Sequence, residues 1–162
     1  MSGHLIRLYH LTVALPKEKV IVELGVRGGE STTALLAAVN DSGGHLYSVD
    51  VVNCSHVYHG EPNWSFFFGN DMVILKTWNQ KIDHLFIDTS HTFEHTLAEL
   101  RGWSSWLQPW GIITLHDTIF CPGVAKAVQQ FLAENPSYAF KNYLECYGLG
   151  LLSFKNNKIG AK

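Results

Sequence analysis

The sequence predicts an α/β fold, a doubly wound and mostly parallel sheet, and three observations carry that prediction. Residues 20–24, apolar but for Glu23, are a run of the kind buried on both faces of a parallel sheet. Strand-like and helix-like segments then alternate along the chain. Finally, one strand-like run after another closes on a polar residue: Glu23, Asp50, Asp88 and the pair His116–Asp117.

Each element has its own local reason. Leu5, Leu8, Leu11 and Leu15 recur at near-helical spacing and predict a short helix before Pro16. After the first strand, Gly25, Gly28 and Gly29 make a turn, and residues 31–39 read as a helix. A turn at 42–44 leads to a strand over 45–50. Residues 51–63 have no clear period and carry His56, Tyr58 and His59. Residues 64–68 are the third strand, closed by Gly69-Asn70-Asp71, with a short helix over 71–78. Residues 82–88 form the fourth strand. Phe93, Leu97, Leu100 and Trp103 or Trp106 then mark an amphipathic helix from Thr92 to Trp106. Pro109-Trp110-Gly111 reads as a turn before the fifth strand, 111–117. Pro122 opens a helix that runs to about Glu134, where Asn135-Pro136 stops it. Two final strands, 138–143 and 149–154, are spaced as a hairpin around Tyr147-Gly148, so the last strand is expected to be antiparallel. No repeat or linker interrupts the series, and residues 1–162 read as one domain.

Composition narrows the function classes. A chain with 46% hydrophobic and 16% charged residues has enough apolar material for a compact core rather than disorder. A formal charge of −2 gives no electrostatic reason to expect nucleic acid or an anionic membrane as partner. No apolar run reaches the ~20 residues of a membrane span, and the N-terminus lacks the pattern of a secretion signal. Cys54, Cys121 and Cys146 are odd in number and form no C-x-x-C, which suits reduced thiols in a cytoplasmic protein.

Ligands of open parallel sheets bind outside the carboxyl ends of the strands. The strand–glycine–helix corner at 20–33 lets a ligand approach closely, and the N–H groups of a helix start receive a polar group. A dinucleotide site would require G-x-G-x-x-G, but counted from Gly25 the third and sixth positions are Arg27 and Glu30. A nicotinamide-dependent oxidoreductase is therefore the weaker reading.

The segments Glu23-Leu-Gly-Val-Arg-Gly-Gly-Glu-Ser31, Tyr47-Ser-Val-Asp50, Phe86-Ile-Asp-Thr-Ser-His91, Leu107 to Asp117 and Gly148 to Phe154 together resemble class I S-adenosylmethionine-dependent methyltransferases. Within that class the chain is similar to the small-molecule O-methyltransferases of the cephalosporin-biosynthesis and macrolide-sugar type, methyltransferase family 24. The resemblance covers about residues 18–155. It implies a Rossmann-like seven-stranded sheet with an antiparallel last strand, and S-adenosylmethionine as cofactor. The cofactor-binding set it implies is Glu23, Gly25, Arg27, Gly28, Gly29, Ser31, Asp50, Asp71 and Asp88. In that set Glu23 faces the methionine ammonium, Asp50 accepts the ribose hydroxyls and Asp71 reaches the adenine amino group. The plainer alternatives are a dipole-capping role for Glu23 and an N-cap role for Asp71.

The resemblance also implies a divalent cation held by the acid ending the fourth strand, Asp88, and by the pair ending the fifth. Here that pair is His116–Asp117, where metal-dependent relatives usually offer two carboxylates or Asp-Asn, so the candidate set is Asp88, His116 and Asp117. Mg²⁺ prefers oxygen donors, whereas a histidine among them favours Mn²⁺ or Fe²⁺. His91 is the candidate general base near neutral pH, with His116 as a second catalytic candidate. Without a metal, Asp88 and Asp117 would be polar strand ends bonded to loops. His95 lies one turn beyond His91 and is expected on a solvated helix face. Trp103, Trp106 and Trp110 are expected to pack. The 51–63 loop either covers the cofactor or lies on the surface.

The expected acceptor is a hydroxylated small molecule. The chain is short for the family and carries little before its first strand, where substrate-capping elements usually sit. Two further expectations follow: a cofactor-binding domain without turnover of its own, or a homodimer whose partner completes the pocket.

Overall fold

The computed structural model describes residues 2–157. Its elements are α1 (Ser2–Val13), β1 (Lys19–Leu24), α2 (Glu30–Ser42), β2 (Gly44–Asp50), β3 (Trp64–Phe68), α3 (Asp71–Ile74), β4 (Ile82–Ile87), α4 (Phe93–Trp103), β5 (Leu107–His116), α5 (Pro122–Glu134), β6 (Tyr138–Tyr143) and β7 (Leu149–Phe154). The seven strands form one sheet in the order β3-β2-β1-β4-β5-β7-β6. Strands β1 to β5 pair in parallel, whereas β7 runs antiparallel to both β5 and β6. The sheet is thus the expected one, reversed last strand included.

Alternation along the strands builds two apolar layers. Ile21, Leu46, Phe86 and Ile112 face α1 and α2, where they pack with Leu8, Leu11, Leu35 and Val39. Their neighbours Val22, Leu85, Ile87 and Ile113 face α4 and α5, where they meet Leu97, Leu100, Trp103 and Phe131. A period of two thus sends successive side chains to opposite faces. With both faces covered, polar side chains collect at the strand ends. Because β2 and β3 lie on one side of β1 and β4 and β5 on the other, the crevice opens at the carboxyl ends of β1 and β4.

Two segments differ from the sequence expectation. The helix predicted over Thr92–Trp106 is α-helical only to Trp103, and a 3-10 turn completes it over Ser104–Trp106. The turn predicted at Pro109-Trp110-Gly111 lies inside β5. There the register against β4 shifts from Ile82↔Leu107 to His84↔Ile112, so a bulge absorbs the proline, which has no N–H to donate. The Trp110 indole donates to Asp83 at 2.7 Å and holds the bulge in place.

One polar side chain crosses the buried face under α1. His84 is wholly buried in β4, 2.8 Å from both Thr12 and Thr114. The Thr12 hydroxyl already donates to the Leu8 carbonyl, so it accepts from His84 Nδ1–H. That leaves Nε2 to accept from Thr114. Burial lowers the pKa of His84 to about 3 and keeps it neutral. Replacing Thr12 with valine strands a buried N–H, which costs about 1–3 kcal/mol. Urea unfolding of Thr12→Val should show a loss of that size, and Thr12→Ser should recover most of it.

Candidate active site

The crevice is a cleft of about 1030 Å³. Small-molecule sites run to roughly 1,000 Å³, so it has room for two reactants. Its floor is the turn between β1 and α2. Gly25 sits at φ 91°, and a Cβ there would lie 2.0 Å from the Asp88 carbonyl, so only glycine fits. Gly29 at φ 85° opens α2 without a side-chain cap, leaving the first N–H groups of the helix to the cleft. Gly25, Val26, Arg27, Glu30 and Ser31 line this side of the cleft. Gly28 turns the chain between Arg27 and Gly29.

Asp50, at the end of β2, anchors the turn. Its carboxylate accepts from the backbone N–H groups of Val26 (2.8 Å), Arg27 (3.1 Å) and Val52 (2.8 Å). Three of its roughly four acceptor positions are therefore taken. It lines the cleft, but it has less spare capacity than two ribose hydroxyls would use.

Glu23 departs from expectation. It is fully buried beneath the turn and accepts hydrogen bonds from Ser31 (2.6 Å), Thr32 (2.9 Å) and Ser48 (2.6 Å). It does not line the cleft, whereas Ser31, one of its donors, does. The cause is sequence local to other elements: three hydroxyls from α2 and β2 surround a carboxylate on a central strand. Burial raises its pKa to about 7 against the pull of those hydroxyls.

At the ends of β4 and β5, four predicted residues converge. His91 Nε2 lies 2.9 Å from Asp88 Oδ1 and 3.1 Å from Asp117 Oδ2. His116 Nδ1 lies 3.2 Å from Asp117 Oδ1 and 3.8 Å from Asp88 Oδ2. One ligand atom each from Asp88, His116 and Asp117 falls within 4.8 Å of the others. Two convergent carboxylates and an imidazole suit a dication, and His91 sits between the carboxylates as an internal cation would. The hydrogen bond to Asp88 raises the His91 pKa above the ordinary imidazole value, with burial opposing it.

His95 belongs to a second cluster rather than to a solvated helix face. Its Nε2 lies 3.1 Å from Asp71 Oδ1 and 3.4 Å from Glu99 Oε1, and pairing with Glu99 foremost raises its pKa to about 9. Asp71 is buried at one end of the cleft with its carboxylate turned to His95. The N-cap role proposed for it falls to Asn70, which accepts from the Met72 and Val73 N–H groups.

The sequence reading missed three contributors. Helix α1 sends His4, Leu5 and Leu8 into the cleft, so the segment before β1 does help build the pocket. The His4 ring meets His116 edge-on at 5.3 Å, and burial, then His116, lowers its pKa. His4 shares a helical face with Leu8 and Leu11, a spacing visible in the sequence. Phe120 and Tyr147 form the lip, their loops joined by N–H bonds from Ile119 and Phe120 to the Tyr147 carbonyl. Nothing in the sequence marks that pair. The 51–63 segment gives the cleft only Val51 and Val52, while Cys54, Val57 and Tyr58 pack on the turn and on α2. His56 and His59 are exposed.

Among the described residues, Glu18, Arg27, His91, Asp117, Cys146 and Tyr147 are the non-glycines with positive φ. All but Glu18 line the cleft. Backbone strain of about 1–3 kcal/mol per residue persists where the surroundings over-determine it, and it clusters at functional sites.

The family model for the methyltransferase domain matches residues 22–118, more than half of the chain. The chain belongs to the class I S-adenosylmethionine-dependent methyltransferases. The match contains the glycine turn and both acid–histidine clusters; His4 and Tyr147 lie outside it. The fold of this methyltransferase is shared with solved structures of low sequence identity. The SAH-bound methyltransferase PaMTH1 of Podospora anserina is 18% identical, with TM-score 0.67, over 85% of this chain and 72% of that one. The O-methyltransferase TomG of Streptomyces achromogenes, solved with SAM, is 16% identical, with TM-score 0.73, over 95% and 80%. MycE of the mycinamycin pathway, in complex with Mg, SAH and mycinamycin VI, is 18% identical, with TM-score 0.72, over 98% of this chain and 50% of its own. No helix among the described residues is long and apolar enough to cross a membrane.

Glu23 and His84 make opposite contributions to acid stability. Glu23 has a raised folded pKa, so its stabilisation is present at low pH and is lost as pH rises from 4.5 through about 7. His84 has a lowered folded pKa, so its stabilisation is present above 6.5 and is lost as pH falls from there toward about 3. Between pH 7 and pH 5 each changes stability by about 2 kcal/mol, with opposite sign. Urea unfolding of Glu23→Gln at pH 7 and pH 5 should lose about 2 kcal/mol more on acidification than the wild type does, and equal pH dependence in the two proteins would contradict the assignment.

Proposed function

We propose that the cleft binds S-adenosylmethionine and transfers its methyl group to a hydroxyl of a small molecule. The observation that carries the reading is the convergence of Asp88, His91, His116 and Asp117 beside the Gly25–Gly29 turn. The turn and the start of α2 would receive the methionine part, through backbone N–H groups and Ser31. Asp50 would accept one ribose hydroxyl with its remaining lone pair, and Asp71 would stand at the adenine end. The acceptor would enter between α1 and the Phe120–Tyr147 lip, where apolar side chains surround the polar cluster. The O-methyltransferases among the similar structures support oxygen as the acceptor atom.

In the reaction, the acceptor oxygen attacks the methyl carbon as the sulfur–methyl bond breaks. S-adenosylhomocysteine leaves, and the hydroxyl proton passes to a base. His91 and His116 are the bases at hand, each in its neutral form, with Asp88 and Asp117 beside the imidazolium that results. In-line positioning of the two reactants contributes up to ~7–11 kcal/mol, and a general base adds on the order of 10²–10⁴-fold. The carboxylates of Asp88 and Asp117, with His116, are suited to hold a divalent cation. Such a cation lowers the pKa of a bound hydroxyl.

Calorimetry with S-adenosylhomocysteine tests the cofactor, with NAD⁺ as control. Micromolar binding of the first and none of the second is expected; absence of the first would overturn the reading. Asp50→Ala should weaken that binding at least tenfold, because it frees the Val26 and Arg27 N–H groups of the turn as well as losing the ribose contact. His91→Ala should bind S-adenosylhomocysteine nearly as the wild type does while losing on the order of 10²-fold or more in turnover. Undiminished turnover would remove His91 from the chemistry.

A further inference from the structure

We propose that Asp71, His95 and Glu99 form a second divalent-cation site, separate from the Asp88–His116–Asp117 cluster, on the wall of the cleft where α3 meets α4. One ligand atom from each of the three falls within 4.8 Å of the others. Unlike a surface patch of acids, this group is buried: Asp71 is 5% exposed and Glu99 is 0% exposed. The second oxygen of each carboxylate, Asp71 Oδ2 and Glu99 Oε2, is buried without a hydrogen-bond partner.

Charge and donor counts point the same way. Asp71 receives a hydrogen bond from His95, and Glu99 Oε1 receives one from Thr89 at 2.7 Å. One ring nitrogen of His95 therefore serves both carboxylates, and two buried oxygens are left orphaned in the wall. Buried carboxylates are stable when paired, hydrogen-bonded or coordinated to metal. A dication in place of the His95 proton brings the cluster to neutrality with an Asp–His–Glu donor set. One imidazole nitrogen with two carboxylates matches zinc, manganese or iron better than magnesium. Asp71 and His95 line the cleft, which gives an ion its way in. The ion would join the start of α3 to α4 and stiffen that wall. This site does not depend on which acceptor is methylated, nor on occupancy of the first cluster.

Zinc is the probe. Equilibrium dialysis of the untagged, chelator-treated full chain reads zinc per chain. The wild type should bind one equivalent more than His95→Ala. In Asp88→Asn/Asp117→Asn, which disables the first cluster, one equivalent should remain, and His95→Ala on that background should abolish it. Zinc should also raise the melting temperature of the Asp88→Asn/Asp117→Asn protein, an effect lost with Glu99→Gln or Asp71→Asn. Equal zinc in the wild type and a folded His95→Ala protein, or none remaining without the first cluster, would overturn the proposal and leave the triad a proton-sharing cluster. S-adenosylhomocysteine binding, measured separately, tells that failure apart from a failure of the methyltransferase reading.

Discussion

A carboxylate with no access to water holds the binding corner together. Glu23 sits on the central strand β1 and is met by hydroxyls from two elements, Ser31 and Thr32 on α2 and Ser48 on β2. A buried acid is tolerable only with such partners, and here the partners fix the entry of α2 relative to the sheet. The turn is pinned again from above, where Asp50 collects backbone N–H groups. Between them the chain must pass the Asp88 carbonyl with no room for a side chain at Gly25. The geometry of the cleft floor follows from these constraints.

The parallel sheet then dictates what faces the cleft. With α1 and α2 over one face and α4 and α5 over the other, polar side chains on β4 and β5 are accommodated chiefly at the carboxyl ends. One interior exception, His84, is neutral and bonded to a threonine on each side. At the open end, acids and histidines separate into two clusters. His91, ahead of α4, turns to Asp88 and Asp117, whereas His95, in the first turn of α4, turns to Asp71 and Glu99. His91 has positive φ and lies outside α4, whereas His95 lies within it.

Much of the architecture is legible in the sequence because it depends on local patterns. The apolar run at 20–24, the glycines at 25–29 and Pro122 at the start of α5 each act over a few residues. The hairpin spacing at 138–154 indicates the reversed strand for the same reason. The bulge at Pro109–Gly111 was hidden because a proline and a glycine also spell a turn. Only pairing with β4, with Asp83 holding Trp110, keeps that segment in the strand.

By itself, the sequence determined which residues end the strands, and hence that Asp50, Asp88, His116 and Asp117 would share one crevice. The chain order of parallel strands forces that outcome whatever the side chains do. Tertiary structure alone decided how those groups are used. Glu23 lies under the turn rather than in the cleft, α1 closes the pocket with His4, and His95 joins Asp71 and Glu99. Each of these depends on hydrogen bonds or packing between residues well apart in the chain. Such partners are chosen by the angle at which elements pack, a quantity that no local pattern of residues encodes.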